Sequence, residues 1–200
     1  VYDSFAYMNS QLISNIPIID DDFSFLGSVS MKDIAKDMIC GNNEYLDASF
    51  ENILSTIDGK ELLRFDENIR GKVLVASYRS TTFIQNVKIT PETIIIVGDR
   101  HSIIEYAVNS CAKLIILTGS SRIHDEHLEI ARKNKVNIIK TDLNTFDSAK
   151  LISLSKNINE LVKNDEVICF NETDDVNDFI AIANKMKYSN FPVMDKNNKI

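Results

Sequence analysis

Two rhythms of apolar and polar positions divide this chain. Across its middle, roughly residues 45–155, apolar residues bunch into short blocks at 71–76, 93–97, 114–117 and 137–140. Thr93-Ile94-Ile95-Ile96-Val97 and Leu114-Ile115-Ile116-Leu117 offer almost no side chain suited to water, so they predict strands covered on both faces. Stretches with helical spacing at about 102–110 and 125–134 separate the blocks. Strand alternating with helix predicts a parallel or mixed α/β sheet. The turn-rich Cys40-Gly41-Asn42-Asn43 leads into this segment.

The ends follow the second rhythm, and they repeat each other. Ser14-Asn15-Ile16-Pro17-Ile18-Ile19-Asp20 returns 175 positions later as Ser189-Asn190-Phe191-Pro192-Val193-Met194-Asp195. The register extends back through Asp3 and Asp178, Ala6 and Ala181, Asn9 and Asn184. Each copy predicts an amphipathic helix (3–13; 176–188) running into a short strand (16–19; 191–194) that ends at an aspartate turn. The first copy continues through Asp20-Asp21-Asp22 into a strand at 23–29 and a helix at 31–39, for which Ser30 is a good N-cap. An opening strand at 167–170 precedes the second copy, and the first lacks its counterpart. The second copy stops at Ile200, where its partner strand would begin, so the reading expects an excerpt of a longer protein cut inside repeated units.

Composition changes this picture only at the margins. Lys and Arg number 22 against 29 Asp and Glu, a net charge of −7, and a field of that sign does not favour tracking a nucleic-acid backbone. Any nucleotide bound here is expected to be small and locally held. Cys40, Cys111 and Cys169 form no CxxC pair, which fits a reducing compartment and predicts three buried thiols. No apolar run reaches the roughly 18 residues of a membrane span, and no charged region followed by an apolar one opens the chain. The expectation is a soluble cytoplasmic protein.

Candidate chemistry is sparse. Val97-Gly98-Asp99-Arg100 and Leu117-Thr118-Gly119-Ser120-Ser121 close two of the predicted strands. Gly119 and the serines before a helix could offer amides to an anion, with Arg100 at the same mouth, but one glycine is not a phosphate loop and the first reading is a plain strand-to-helix turn with an Asp99 to Arg100 pair. Neither GxxxxGK[ST] nor GxGxxG occurs. His124-Asp125-Glu126-His127 lacks the i, i+4 histidine spacing of HExxH, and its acids are what a first helical turn wants. Asp20-Asp21-Asp22 and Asp174-Asp175 read as solvated carboxylates at turns or helix starts. No GxSxG elbow or Cys with a convincing His partner is present, so a non-catalytic segment is expected, without metal or catalytic residues of its own.

The order of these features resembles a known family. Helix, Pro-containing strand ending in Asp, strand, then Gly27-Ser28-Val29-Ser30-Met31-Lys32-Asp33 resembles the cystathionine beta-synthase (CBS) motif, which closes on a glycine, a few residues, Ser or Thr, two residues and Asp. Gly98-Asp99-Arg100 and Thr118-Gly119-Ser120 resemble the DRTGG domain, with serine for its last glycine. A CBS pair split by a DRTGG domain is similar to the regulatory insert of family II inorganic pyrophosphatases of anaerobic bacteria such as clostridia. The resemblance implies an α/β fold of mixed α+β character, in which a CBS-motif pair forms a Bateman-type module around an inserted DRTGG domain. It divides the chain into a first CBS motif at 1–43, a DRTGG domain at 44–155 and a second CBS motif at 156–200.

It also implies a function. In that family AMP and ADP inhibit, ATP can activate, and diadenosine polyphosphates activate an attached hydrolase. The manganese or cobalt of that enzyme, with magnesium, belongs to catalytic domains whose Asp-His-His motifs are missing here. Asp33 would accept ribose hydroxyls, and Ser30 with the amides of Met31 and Lys32 would face a phosphate. Ser14, Asn15, Ile16 and Pro17 would line the adenine side. From the second copy, Tyr188, Ser189, Asn190 and Phe191 would lie opposite Val167 and Ile168, the aromatic pair stacking on adenine, while Lys163 would meet a phosphate. The resemblance further implies a homodimer through both domain types, with no nucleic-acid or membrane partner. The alternative is a CBS and DRTGG sensor or dimerisation module attached to a different enzyme.

Overall fold

The computed structural model describes residues 1–41, 44–162, 167–186, 190–197 and 199–200. In chain order it contains α1 (Tyr2–Gln11), β1 (Asn15–Ile19), β2 (Phe25–Ser30), α2 (Met31–Cys40), β3 (Tyr45–Ser49), α3 (Phe50–Thr56), β4 (Gly59–Leu63), β5 (Asn68–Val75) and α4 (Ser80–Asn86). Then follow β6 (Thr93–Val97), α5 (His101–Asn109), β7 (Leu114–Thr118), α6 (Asp125–Lys133), β8 (Asn137–Thr141), α7 (Thr145–Leu151), β9 (Phe170–Asn171), α8 (Val176–Ala183) and β10 (Val193–Met194). The chain forms two units, one of Val1–Tyr2 with Cys40–Asn157, the other of Asp3–Ile39 with Ile158–Ile200.

The first unit is built on a six-stranded sheet of order β3-β5-β6-β7-β8-β4. β5, β6, β7 and β8 run parallel, and the two edge strands are antiparallel to their neighbours. Every residue of β6 and β7 is buried, because helices cover both faces. The two-residue period of the strands sorts them: Ile95, Val97, Ile115 and Leu117 pack with Phe83, Ile104 and Val108, while Ile94, Ile96, Leu114 and Ile116 pack with Phe50, Ile53 and Ile152. Burying a side chain of this size contributes about 1.5 to 3 kcal/mol, so this sheet holds most of the unit's stability. Gly71 of β5 is dictated by a close approach: a Cβ there would lie 2.1 Å from the Glu92 carbonyl oxygen, which accepts the Lys72 amide at 2.8 Å. Asn137 is wholly buried, and its side chain takes the Phe65 and Asp66 amides while donating to Asp66 and the Lys113 carbonyl.

The second unit holds the repeat. β1 and β2 pair antiparallel, with an irregularity between Ile18 and Ile19 opposite Gly27, whose φ of 143° is a conformation that glycine adopts without strain. β9 and β10 pair parallel. Several expected bounds shift. The first strand after the aspartate turn begins at Phe25 rather than at 23, because Phe23 itself carries φ 64° inside the turn. α1 ends at Gln11, just before Leu12 with φ 54°, and α8 ends at Ala183 with Asn184 as its cap. The strands expected at 167–170 and 191–194 shrink to two residues each, Phe170–Asn171 and Val193–Met194. The thiols also depart from expectation: Cys40 and Cys111 are exposed and Cys169 is half-buried, the first two because they close helices rather than face a core.

Candidate functional site

The amino end of α2 is organised by its own sequence. Ser30 Oγ accepts the Asp33 amide at 3.2 Å, and Asp33 Oδ2 accepts the Ser30 amide at 3.0 Å and the Ser30 hydroxyl at 2.6 Å. This reciprocal cap satisfies two backbone donors and fixes the Asp33 carboxylate at the mouth of the helix. The Met31 amide is committed to the Ser14 carbonyl at 2.9 Å, which ties the start of β1 to the start of α2. The Lys32 amide has no partner among the described residues.

The two copies of the repeat meet at equivalent positions. Asn190 Nδ2 donates to Asn15 Oδ1 at 2.9 Å, and Ser24 bridges Lys199 in antiparallel fashion; both pairs are 175 residues apart, the repeat's own offset. Contacts between equivalent residues lie on a twofold axis, so the copies are related by pseudo-twofold symmetry. Their aspartate turns match as well. Asp20 Oδ1 accepts the amides of Asp22 and Ser24 at 3.0 and 2.8 Å, and Asp195 Oδ1 accepts those of Asn197 and Lys199 at 2.7 and 2.9 Å. The backbone amides of Lys199 and Asn197 hold the Asp195 carboxyl below its usual value of 3.8.

Both copies wall a cleft of 690 Å³. Of the residues singled out in the sequence, Asn15, Ile16, Pro17, Ser30, Lys32, Asp33, Val167, Asn190 and Phe191 line it. Ser14, Met31 and Ile168 do not, and Lys163, Tyr188 and Ser189 lie outside the described residues. Ser28, Lys36, Pro192, Val193 and Ile200 also line the cleft and were not singled out. Two of these were within reach of periodicity: Ser28 shares a strand face with Ser30, and Lys36 sits four residues after Lys32 on one helix face. The cleft has two characters. Ser30, Lys32, Asp33 and Lys36 make a polar end, and Val167, Phe191, Pro192 and Val193 make an apolar wall. Phe191 is held in that wall by edge-on contacts with Phe170 and Phe179, whose ring centroids are 5.5 and 5.6 Å away.

The DRTGG domain family matches residues 52–155, about half of the chain. The chain belongs to the DRTGG domain family. It is 29% identical over 200 residues to the cobalt-dependent inorganic pyrophosphatase of Clostridium perfringens (strain 13 / Type A), covering 96% of this chain and 36% of that protein. Over 160 residues it is 24% identical to a "probable manganese-dependent inorganic pyrophosphatase" of Thermotoga maritima, covering 77% of this chain and 29% of that protein. The chain therefore spans about a third of the length of the curated relatives it matches. Among solved structures it is similar to the CBS and DRTGG domains of the regulatory region of the C. perfringens pyrophosphatase, complexed with its activator diadenosine tetraphosphate. That likeness has a TM-score of 0.84 at 26% identity and covers 99% of this chain and 88% of the other. The fold is thus a CBS-motif pair with an inserted DRTGG domain, as the order of motifs implied.

The two strand-end turns of the DRTGG domain are structural in their contacts. The Gly119 amide donates to the Leu143 carbonyl at 2.8 Å, and the Thr118 and Thr145 hydroxyls meet at 2.8 Å. Arg100 turns its guanidinium to the Tyr78 carbonyl rather than to Asp99, which lies 3.6 Å from His101 Nε2. α6 begins at Asp125, with His124 at its N-cap position, so Ser120 and Ser121 do not open a helix. His101 and His124 bring their Nε2 atoms to 3.4 Å, yet among the described residues no three His, Cys, Asp or Glu side chains converge as a metal site requires. No helix among the described residues is long and apolar enough to cross a membrane.

Proposed function

We propose that this chain is a regulatory region whose cleft in the CBS pair binds adenine nucleotides and so controls an attached inorganic pyrophosphatase. In this reading diadenosine polyphosphates and ATP activate, AMP and ADP inhibit, and the protein works in the cytoplasm as a homodimer. The observation that carries it is one cleft walled by both copies of the repeat, polar at the α2 end and apolar at the Phe191 end. A nucleotide has the same two ends. The activator carried by the similar C. perfringens regulatory region supports the choice of ligand.

The residues divide the ligand between them. Asp33 accepts the ribose hydroxyls with acceptor capacity left by its cap, since an ionised carboxylate has about four lone-pair sites. The Lys32 amide faces the first phosphate, and the Ser30 hydroxyl reaches it by exchanging the hydrogen bond that it donates to Asp33 for one to a phosphate oxygen. Ile16, Pro17, Val167 and Phe191 enclose the base, while Asn15 and Asn190 hold the junction between copies. The cobalt or manganese named for the relatives does not fit the residues described here, where no three suitable ligands converge.

Calorimetric titration tests the reading. The intact protein is expected to bind AMP and diadenosine tetraphosphate. Asp33→Ala should weaken binding about tenfold to a hundredfold, the loss of a charge-assisted contact of roughly 1.5 to 3 kcal/mol. Asp33→Asn keeps a side-chain acceptor for the cap and separates the ligand contact from helix capping. Unchanged titrations for both variants remove Asp33 from the site, and no nucleotide binding by the unmodified protein overturns the reading.

A further inference from the structure

Lys32 and Lys36 stand one turn apart on α2, and both line the polar end of the cleft. Both are exposed, and neither ammonium has a carboxylate partner among the described residues. In a chain of net charge −7, two unpaired cations along one wall of a concave site mark where extended negative charge is accommodated. Their separation sets the scale. Four residues of helix rise about 6 Å, the reach of roughly two phosphoanhydride links.

We infer that Lys36 is the residue that distinguishes polyphosphate ligands from a nucleoside monophosphate. The inference rests on the nucleotide reading above and adds a specificity-determining residue to it. A monophosphate placed at Ser30 and the Lys32 amide stops short of Lys36. A tri- or tetraphosphate chain continues along α2 and meets its ammonium. Lys32 acts on every nucleotide, and Lys36 acts only on those whose phosphate chain is long enough to reach it. Because Lys36 is exposed, its contribution weakens as salt rises.

The test is a titration of the intact protein and of Lys32→Gln, Lys36→Gln and Lys36→Arg with AMP, ATP and diadenosine tetraphosphate, at low and high ionic strength. Lys36→Gln is expected to weaken ATP and diadenosine tetraphosphate about threefold to tenfold at low salt while leaving AMP within about twofold. Lys36→Arg should keep the preference, and Lys32→Gln should weaken all three ligands alike. Equal losses for AMP and the long-chain ligands in Lys36→Gln, or no loss for any, overturn the inference while leaving nucleotide binding intact. Failure of the unmodified protein to bind all three overturns the nucleotide reading and the inference together.

Discussion

Asp20 and Asp195 each close a turn by taking two backbone amides on one carboxylate oxygen, and the second of these turns carries a pH signature. The Asp195 carboxyl is held below 3.8 by the amides of Lys199 and Asn197. A depressed carboxyl stabilises the folded turn above its ordinary value and loses that contribution as pH falls through the depressed one. Amide resonances of Asn197 and Lys199 should therefore shift together on acidification, with a midpoint below 3.8. A midpoint at or above that value would show that the carboxylate is not held by these amides. At the same scale, the Ser30 and Asp33 cap shows how a residue proposed to meet the ligand also serves structure: one oxygen of Asp33 already accepts two donors from Ser30.

At the level of elements, the central strands and their connecting helices form where the apolar blocks predict them, while β3, α3, β4, α4 and α7 were not foreseen. β4 explains why. Its Gly-Lys-Glu-Leu-Leu sequence is polar and mostly exposed, and it is a strand because β8 offers a free edge. Edge strands take their conformation from the partner more than from propensity. The pairing of β5 and β6 depends on a single missing methyl group. Gly71→Ala would drive a Cβ into the Glu92 carbonyl, against backbone rather than a pliable side chain. Urea unfolding followed by circular dichroism should show a loss of about 1 to 3 kcal/mol for this variant. A stability equal to that of the parent would mean that the β5 and β6 pairing has room that this geometry denies.

For the whole molecule, the proposed dimer gives a mechanism for opposite responses to similar ligands. If two clefts face each other across the dimer, one dinucleotide fills both, whereas two AMP molecules bring separate phosphates close together, where like charges repel. The two ligands then favour different angles between subunits, and only their differential binding energy is available to move an attached domain. A coupling of about 1 to 3 kcal/mol corresponds to a 5- to 150-fold change in affinity. Sedimentation should report a dimer at micromolar concentration, and solution scattering should differ between the AMP and diadenosine tetraphosphate complexes. A monomer under both conditions, or identical scattering curves, would sink this mechanism.

The sequence by itself determined whatever is local in the chain or repeated along it. The Ser30 and Asp33 cap spans four residues, the aspartate turns span five, and the short apolar blocks at 93–97 and 114–117 read as strands buried on both sides. The matched segments around Asn15 and Asn190 announced two copies of one motif before any contact between them was visible. Tertiary structure decided what those two copies do together. That Asn15 meets its own counterpart, that Phe191 is braced by Phe170 and Phe179, and that Lys36 joins Lys32 in the cleft depend on how helices and strands distant in sequence pack. Local pattern fixes which face of an element is apolar, but only packing decides which other face it meets, and the cleft exists where two such faces leave a space between them.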